Sequence, residues 1–250
     1  MLRGIRELVG YTLLASDGEI GACADFLFDD RDCVIRYMVA DTRRWLPGRK
    51  VLISPASLAE PDWNSRLFPV RLSRQQIKDS PALEEHAPVS RTYERTYHEF
   101  FGYGLYWEGP ELWGAHPDPA GILHPVPSHQ PAPLADLEVQ EGHIRSVNEV
   151  HGYGIQGSDD QIGAVDDYVV DDRTWAIEWL VVDTRPWLPG GKVLVSPEWV
   201  ETVEWAQRRV AIAMTVDQIR NSPKYDPAAP INSEYEARLY DFHGRPRRRG

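Results

Sequence analysis

The chain has 250 residues, a formal net charge of −11 and 42% hydrophobic residues, with nine Trp and eleven Tyr among them. That length allows one or two domains, and that apolar fraction is enough for real cores. The acidic balance argues against a general nucleic-acid binder, which needs a basic footprint, and no apolar run approaches the ~20 residues of a membrane span.

The first residues, Met1-Leu2-Arg3-Gly4, lack the apolar core of a signal peptide. Residues 7–14 read as a first strand, closed by a turn at Ser16-Asp17-Gly18, and residues 20–28 as a second. Carboxylates at 29–32 favour a hairpin turn. Residues 34–41 form the third strand, with Ile35, Tyr37 and Val39 on one face, and 50–54 and 67–72 supply two more. Short strands with turns at this spacing predict a small closed barrel. Helix follows: Ser73 with Gln76 forms a capping box, and the helix stops before Ser80-Pro81 because proline disfavours helix at the residue preceding it. A second helix starts near the N-cap candidate Ser90, with Tyr93, Tyr97 and Phe100 at i, i+4, i+7 as its packing stripe.

Residues 103–142 are rich in Pro, Gly and aromatics, including Tyr103, Tyr106, Trp107 and Trp113. Prolines deny this stretch regular hydrogen bonding and stiffen it, so it reads as a linker whose early aromatics lie against a barrel.

The pattern then returns. DTRRWLPGRKVLISP at 41–55 recurs as DTRPWLPGGKVLVSP at 183–197, an offset of 183 − 41 = 142 that holds without a gap to about Gly102. About half of the first sixty aligned positions are identical, which means duplication of a whole domain rather than a short solenoid repeat. Thr215 with Gln218 repeats the capping box, Asn232 the second N-cap, and Tyr235, Leu239 and Phe242 the stripe. The expected organisation is therefore repeat 1 with its helical tail at 1–102, the linker at 103–142, repeat 2 with its helical tail at 143–244 and a basic tail at 245–250. The tail, with Arg245 and Arg247 to Arg249, reads as solvated or as a contact for phosphate or anionic lipid. Val165 and Trp175 occupy the repeat-2 positions of Cys23 and Cys33, so a structural disulfide is not expected. A soluble, cytoplasmic protein in a reducing compartment is the resulting expectation.

With strands, turns and the Asp-Thr-Arg segment in place, the sequence resembles the PRC-barrel family. That module is known from the cytoplasmic part of the photosynthetic reaction centre H subunit and from the C-terminal barrel of a ribosome-maturation factor. The resembling residues are Gly10-Tyr11, Asp17-Gly18, Ile20-Gly21 with Asp25, the strand end Val39-Ala40-Asp41, and Lys50 through Pro55. Repeat 2 matches with Gly152-Tyr153, Gly163 with Asp167, Val182-Asp183, and Lys192 through Pro197. The likeness covers about 100 residues twice, and it implies a mainly β fold of two small barrels, each followed by short helices. It also implies protein binding without a common catalytic residue set. The chain departs from both relatives: it shows neither the membrane helix of the H subunit nor the separate N-terminal domain of the ribosomal factor.

Candidate chemistry is sparse. Residues 152–157 fit GxGxxG, but a dinucleotide site needs a helix next, and Ser158-Asp159-Asp160 makes a turn into another strand. The linker histidines His116, His124 and His129 match no common metal spacing. His98 aligns with Tyr240, so no catalytic histidine is shared, and Cys23 has no shared His partner. No cofactor and no metal are expected. Asp25 and Asp167 sit on otherwise apolar strands and read as acceptors for barrel backbone or, by analogy with the H subunit, as proton-relay groups. Asp41 and Asp183 are candidates to pair with Arg43 and Arg185 or to cap the turn. Trp45-Leu46 and Trp187-Leu188 precede Pro-Gly turns; exposed, they are interaction anchors, and folded back, they plug a barrel end. Trp107 and Trp113 join them as candidate interaction residues.

The sequence thus points to a non-enzymatic bacterial scaffold of two barrels that bind protein partners, including each other or a second copy in a homodimer. The alternatives are an accessory subunit like the H chain, supporting electron or proton transfer at a membrane complex, and a ribosome- or RNA-associated factor.

Overall fold

The computed structural model describes residues 1–47, 49–84, 87–124, 143–185, 191–229 and 231–244. The first part of the chain forms β1 (Leu2–Gly4), β2 (Thr12–Ala15), β3 (Gly18–Asp29), β4 (Val34–Asp41), β5 (Arg49–Ile53), β6 (Leu67–Pro69), α1 (Arg74–Asp79), β7 (Leu83–Glu84) and α2 (Arg91–Phe101). The second part forms β8 (Ile144–Ser146), α3 (Val147–Val150), β9 (Gly154–Gln156), β10 (Gln161–Asp171), β11 (Ile177–Asp183), β12 (Lys192–Val195), β13 (Val200–Glu204), β14 (Arg209–Ile212), α4 (Val216–Arg220), β15 (Lys224–Tyr225) and α5 (Ser233–His243). The fold is mainly β, as the sequence pattern predicts, with a helix closing each repeat.

The chain divides into two compact units. The first-repeat unit comprises Arg6–Val147 and Asp172–Ala176; the second-repeat unit comprises Met1–Ile5, Asn148–Asp171 and Ile177–Gly250. In the first-repeat unit the sheet order is β6-β2-β3-β4-β5-β7, with β8 paired to the far end of β3. In the second it is β13-β14-β9-β10-β11-β12-β15, with β1 paired to the far end of β10. Both sheets are mixed, because β6 runs parallel to β2 and β14 parallel to β9. Left-handed backbone recurs at the same offset: φ is 54° at Cys33 and 61° at Trp175, and 53° at both Arg66 and Arg208.

The closed barrel expected from the sequence is not what these ladders form. Each sheet is open, and the edge strands are short for identifiable reasons. Pro69 ends β6, cutting the strand expected over 67–72, and α1 with Ser80-Pro81 leaves room for only the two residues of β7. The strand expected over 7–14 is also interrupted. Ile5–Leu8 forms a 3-10 turn and Gly10 takes φ 85°, so β2 begins only at Thr12.

The central strands form where the sequence predicts, but β4 is buried on both faces rather than one: Val34 to Met38 are all buried, Arg36 included, while Val39, expected on the inward face, is half-buried. Leu13, Ile20, Phe26, Ile35, Tyr37 and Ile53 fill the core of the first-repeat unit, and Ile155, Ile162, Val169, Trp179, Val182 and Leu194 that of the second. Each such side chain contributes about 1.5–3 kcal/mol. The shared glycine before the bulge in each long strand has a steric reason. A Cβ on Gly21 would lie 1.9 Å from the Asp41 carbonyl oxygen, and one on Gly163 2.4 Å from that of Asp183.

Candidate functional site

Helix α2 is capped at Ser90, whose side chain accepts from the Tyr93 N–H, and it ends at Gly102 in the left-handed region. Of the expected stripe, Tyr97 is buried, Tyr93 half-buried and Phe100 exposed; the buried face also carries Arg91, Glu94, Arg95 and His98. The helix therefore turns ionisable groups toward the sheet. Glu94, 2% exposed, accepts from the Tyr106 hydroxyl at 2.6 Å and the Tyr37 hydroxyl at 3.0 Å, and pairs with Arg91 at 3.0 Å. Arg91 also donates to the Tyr106 hydroxyl at 2.9 Å. Burial pushes the Glu94 carboxyl up to about 7 against the pull of Arg91 and the two phenols. Burial also works against the Arg91 charge, but Tyr106 and Glu94 beside it hold its pKa above the ordinary value.

His98 lies next to this group. Its Nδ1 is 2.7 Å from the Gly104 carbonyl oxygen, so that nitrogen carries the proton and donates it. Nε2 then offers a lone pair 3.3 Å from the Tyr37 hydroxyl. Burial lowers the imidazole to about 4, so it is neutral near pH 7. The single Tyr37 proton thus has two acceptors, Glu94 and His98. Tyr97 closes the inner end, accepting from the Ser54 N–H at 3.1 Å and donating to the Leu52 carbonyl at 3.2 Å.

Toward solvent the cluster is covered by residues from 103–124. Tyr106 and Trp113 are buried, and the guanidinium of Arg36 stacks on them at 3.9 Å and 5.0 Å from the ring centroids. Arg36 donates to the Leu112 carbonyl and pairs with Asp32 at 2.8 Å. The Trp113 indole N–H donates to the Thr174 carbonyl at 2.8 Å. Trp107 is half-buried, with Arg91 over its ring at 4.4 Å. A cleft of about 500 Å³ opens beside Arg91, Tyr106, Trp107 and Asp32.

A second cleft, of about 550 Å³, lies at the other end of the same sheet. It is lined by Asp41, Thr42, Arg43, Arg44 and Trp45 from the loop after β4, by Ile20 to Ala22 on β3, and by Arg74 at the start of α1. Trp45 folds back: its indole N–H donates to the Ile20 carbonyl at 2.9 Å, and Arg74 stacks on the ring at 5.1 Å. Asp41 receives the Arg43 fork at 2.9 Å and 2.6 Å, which holds its carboxyl below the ordinary carboxylate value. Asp183 receives the Arg185 fork in the same way, at 3.0 Å and 2.7 Å, with the same lowering.

No family model and no curated protein matches the sequence.

The remaining candidates sit as follows. Asp25 and Asp167 each stand at a register shift of their long strand, where Oδ1 accepts the next residue's N–H at 2.8 Å and 2.7 Å. Asp25 accepts in addition from the Ser146 hydroxyl at 2.5 Å. Their place on apolar strands follows from these local caps. Leu46 is half-buried; Trp187 and Leu188 lie outside the described residues, as do His86, His129 and the basic tail. Residues 152–157 run through β9 and a bend into β10, not into a helix. Among the described residues no group of three His, Cys, Asp or Glu could hold a metal ion, and Cys23 and Cys33 are both free thiols. Burial raises the Cys23 thiol far above its ordinary range, so it is a poor nucleophile at neutral pH.

The groups that reading for shared positions passes over are Arg91, His98 and Tyr37 in the cluster, and Arg44 and Arg74 at the second cleft; Glu94 recurs as Glu236 and is open to that reading. Repeat 2 has Ser233, Tyr240, Trp179, Pro186 and Val216 in place of Arg91, His98, Tyr37, Arg44 and Arg74. The available signal is charge at core spacing: Arg91, Glu94, Arg95 and His98 fall at i, i+3, i+4, i+7.

Proposed function

We propose that the protein is a non-enzymatic interaction scaffold made of two PRC-type β modules, and that it binds protein partners through the first repeat. The observation that carries this reading is where the reactive and the open groups lie. Glu94, His98, Tyr37 and Tyr106 satisfy one another in the interior. The cleft at Trp45 is open and presents an indole and three guanidiniums. Arginine stays charged at any ordinary pH, so it recognises and does not exchange protons. Asp41, the best-placed carboxylate there, is held ionised by Arg43 and makes a poor base. The resemblance to PRC barrels, whose usual role is protein binding, points the same way.

The test is affinity capture from the native cell with the full chain and with Trp45→Ala, read by mass spectrometry. A partner recovered by the wild type and lost with Trp45→Ala supports the reading. A capture profile identical for both proteins refutes it.

A second reading, an accessory subunit that supports proton transfer, has one observation in its favour: Glu94 near neutrality joined through Tyr37 to His98. Co-fractionation with membranes would select it over the scaffold.

A further inference from the structure

We propose that the cleft beside Trp45 is an oxyanion site that takes a phosphate monoester. The proposal deepens the interaction reading by naming the chemistry its cleft recognises. Three observations converge on it.

The first is unneutralised charge. Of the three arginines lining the cleft, Arg43 is paired with Asp41. Among the described residues Arg44 and Arg74 are in no ion pair, and the remaining carboxylate on the lining is the exposed Glu19. Two guanidiniums against one carboxylate favour an anionic occupant, on a chain that is otherwise acidic.

The second is a hydroxyl without a partner. Thr42 lines the cleft and is only 2% exposed, yet its Oγ1 has no hydrogen-bond partner among the described residues. The equivalent Thr184 in repeat 2 donates its hydroxyl to the Gly191 carbonyl at 2.7 Å. A buried hydroxyl left open costs free energy unless something completes it. Here it is left open only in the repeat that has the arginines.

The third is that the cationic set belongs to one repeat. Pro186 and Val216 stand where Arg44 and Arg74 stand in repeat 1, although Asp41, Thr42, Arg43 and Trp45 are all repeated. The shared residues build the loop; the two added arginines give it charge.

A phosphate monoester fits these groups better than a carboxylate. It carries about −1.5 to −2 at pH 7 and offers three acceptor oxygens, enough for two guanidinium forks and a hydroxyl at once. The cleft size is that of a small-ligand site, in the range of roughly 300–1,000 Å³. Trp45, tied to Ile20 and stacked by Arg74, keeps that arginine over the cleft.

The test is isothermal titration calorimetry of the full chain at low salt with phenyl phosphate, with benzoate as the monoanion control. A second arm uses an end-capped phosphoserine peptide against the same peptide carrying Glu. Saturable phenyl phosphate binding is expected, weakened by salt. Arg44→Ala and Arg74→Ala should each weaken it about tenfold or more, and Thr42→Val several-fold. Arg185→Ala, the repeat-2 control, should leave it unchanged. The phosphopeptide binding more tightly than phenyl phosphate assigns the site to a phosphorylated partner segment; the reverse order assigns it to a free phosphorylated small molecule. Absence of saturable binding by both phosphate probes overturns the proposal, and so does wild-type affinity in both arginine variants. If a Trp45-dependent partner is captured while the phosphate probes fail, the scaffold reading stands and this proposal falls. If the probes bind in an arginine-dependent way with no such partner, the oxyanion site stands without the scaffold.

Discussion

Replacing Glu94 by Gln should change how stability depends on pH, and the direction follows from two opposed groups. The folded state holds the Glu94 proton up to about pH 7, whereas an unperturbed carboxyl releases it near 4.5. The folded chain therefore binds more protons between those values. The stability this contributes is full below pH 4.5 and is lost as pH rises through about 7. The gap is worth about 3 kcal/mol. His98 acts in the other sense: lowered from 6.5 to about 4, it contributes stability that grows as pH rises across that window, again by about 3 kcal/mol. In the wild type the two slopes largely cancel from pH 4.5 to 6.5. In Glu94→Gln the His98 slope stands alone, so the variant should gain stability toward neutral pH. Loss of the Arg91 counter-ion adds an offset, but the slope is diagnostic. The assay is urea unfolding of both proteins at a series of pH values. The wild-type advantage over the variant should shrink by about 3 kcal/mol between pH 4.5 and 7. A difference that stays level across that range would refute the reasoning.

Three further outcomes are expected. Tyr97→Phe removes the hydroxyl that serves the Ser54 N–H and the Leu52 carbonyl, and should cost about 1–3 kcal/mol in urea unfolding. Gly21→Ala puts a methyl against the Asp41 carbonyl at a φ of 127° and should cost about 3 kcal/mol or more, or prevent soluble expression, whereas Gly191→Ala, which meets open space, should be near neutral. With a thiol reagent on the native protein, the half-buried Cys33 should react first and Cys23 only on unfolding; equally fast reaction of both would contradict the burial of Cys23.

Local chemistry was legible in the sequence where the chain satisfies itself over short distances. Both capping boxes, Ser73 with Gln76 and Thr215 with Gln218, form as their spacing predicts. Strand β4 falls at Val34–Asp41 as expected, and the turn at residues 30–33 separates it from β3. Closure of the sheets was not legible, because it depends on edge strands only two to five residues long whose pairing is decided by tertiary contacts. The stripe Tyr93, Tyr97 and Phe100 locates only part of the inward face, for a physical reason. Tyr97 is buried, but Phe100 is exposed, and Arg91, Glu94 and His98 point inward because Tyr37, Tyr106 and one another satisfy their polar groups there. Polar residues at core spacing are invisible to a hydrophobic pattern. Asking which residues recur in both repeats also discards the groups that set the first repeat apart.

The short strands β1 and β8 occupy equivalent positions, since 144 − 2 = 142, yet each completes the sheet of the other repeat. The hairpin tip Asp172–Ala176 likewise belongs to the first-repeat unit, where the Ile35 N–H donates to the Trp175 carbonyl at 2.9 Å. A gene fission within 125–142 would therefore yield two polypeptides that each carry a piece of the other's architecture. Neither product would inherit a complete sheet, whereas the pair could reassemble noncovalently, as split reporter proteins do. Once such an exchange is established, loss of either copy leaves the survivor with a gap in its sheet. Selection then acts on the tandem as one heritable element, even while the two repeats drift apart in what their clefts and helices carry.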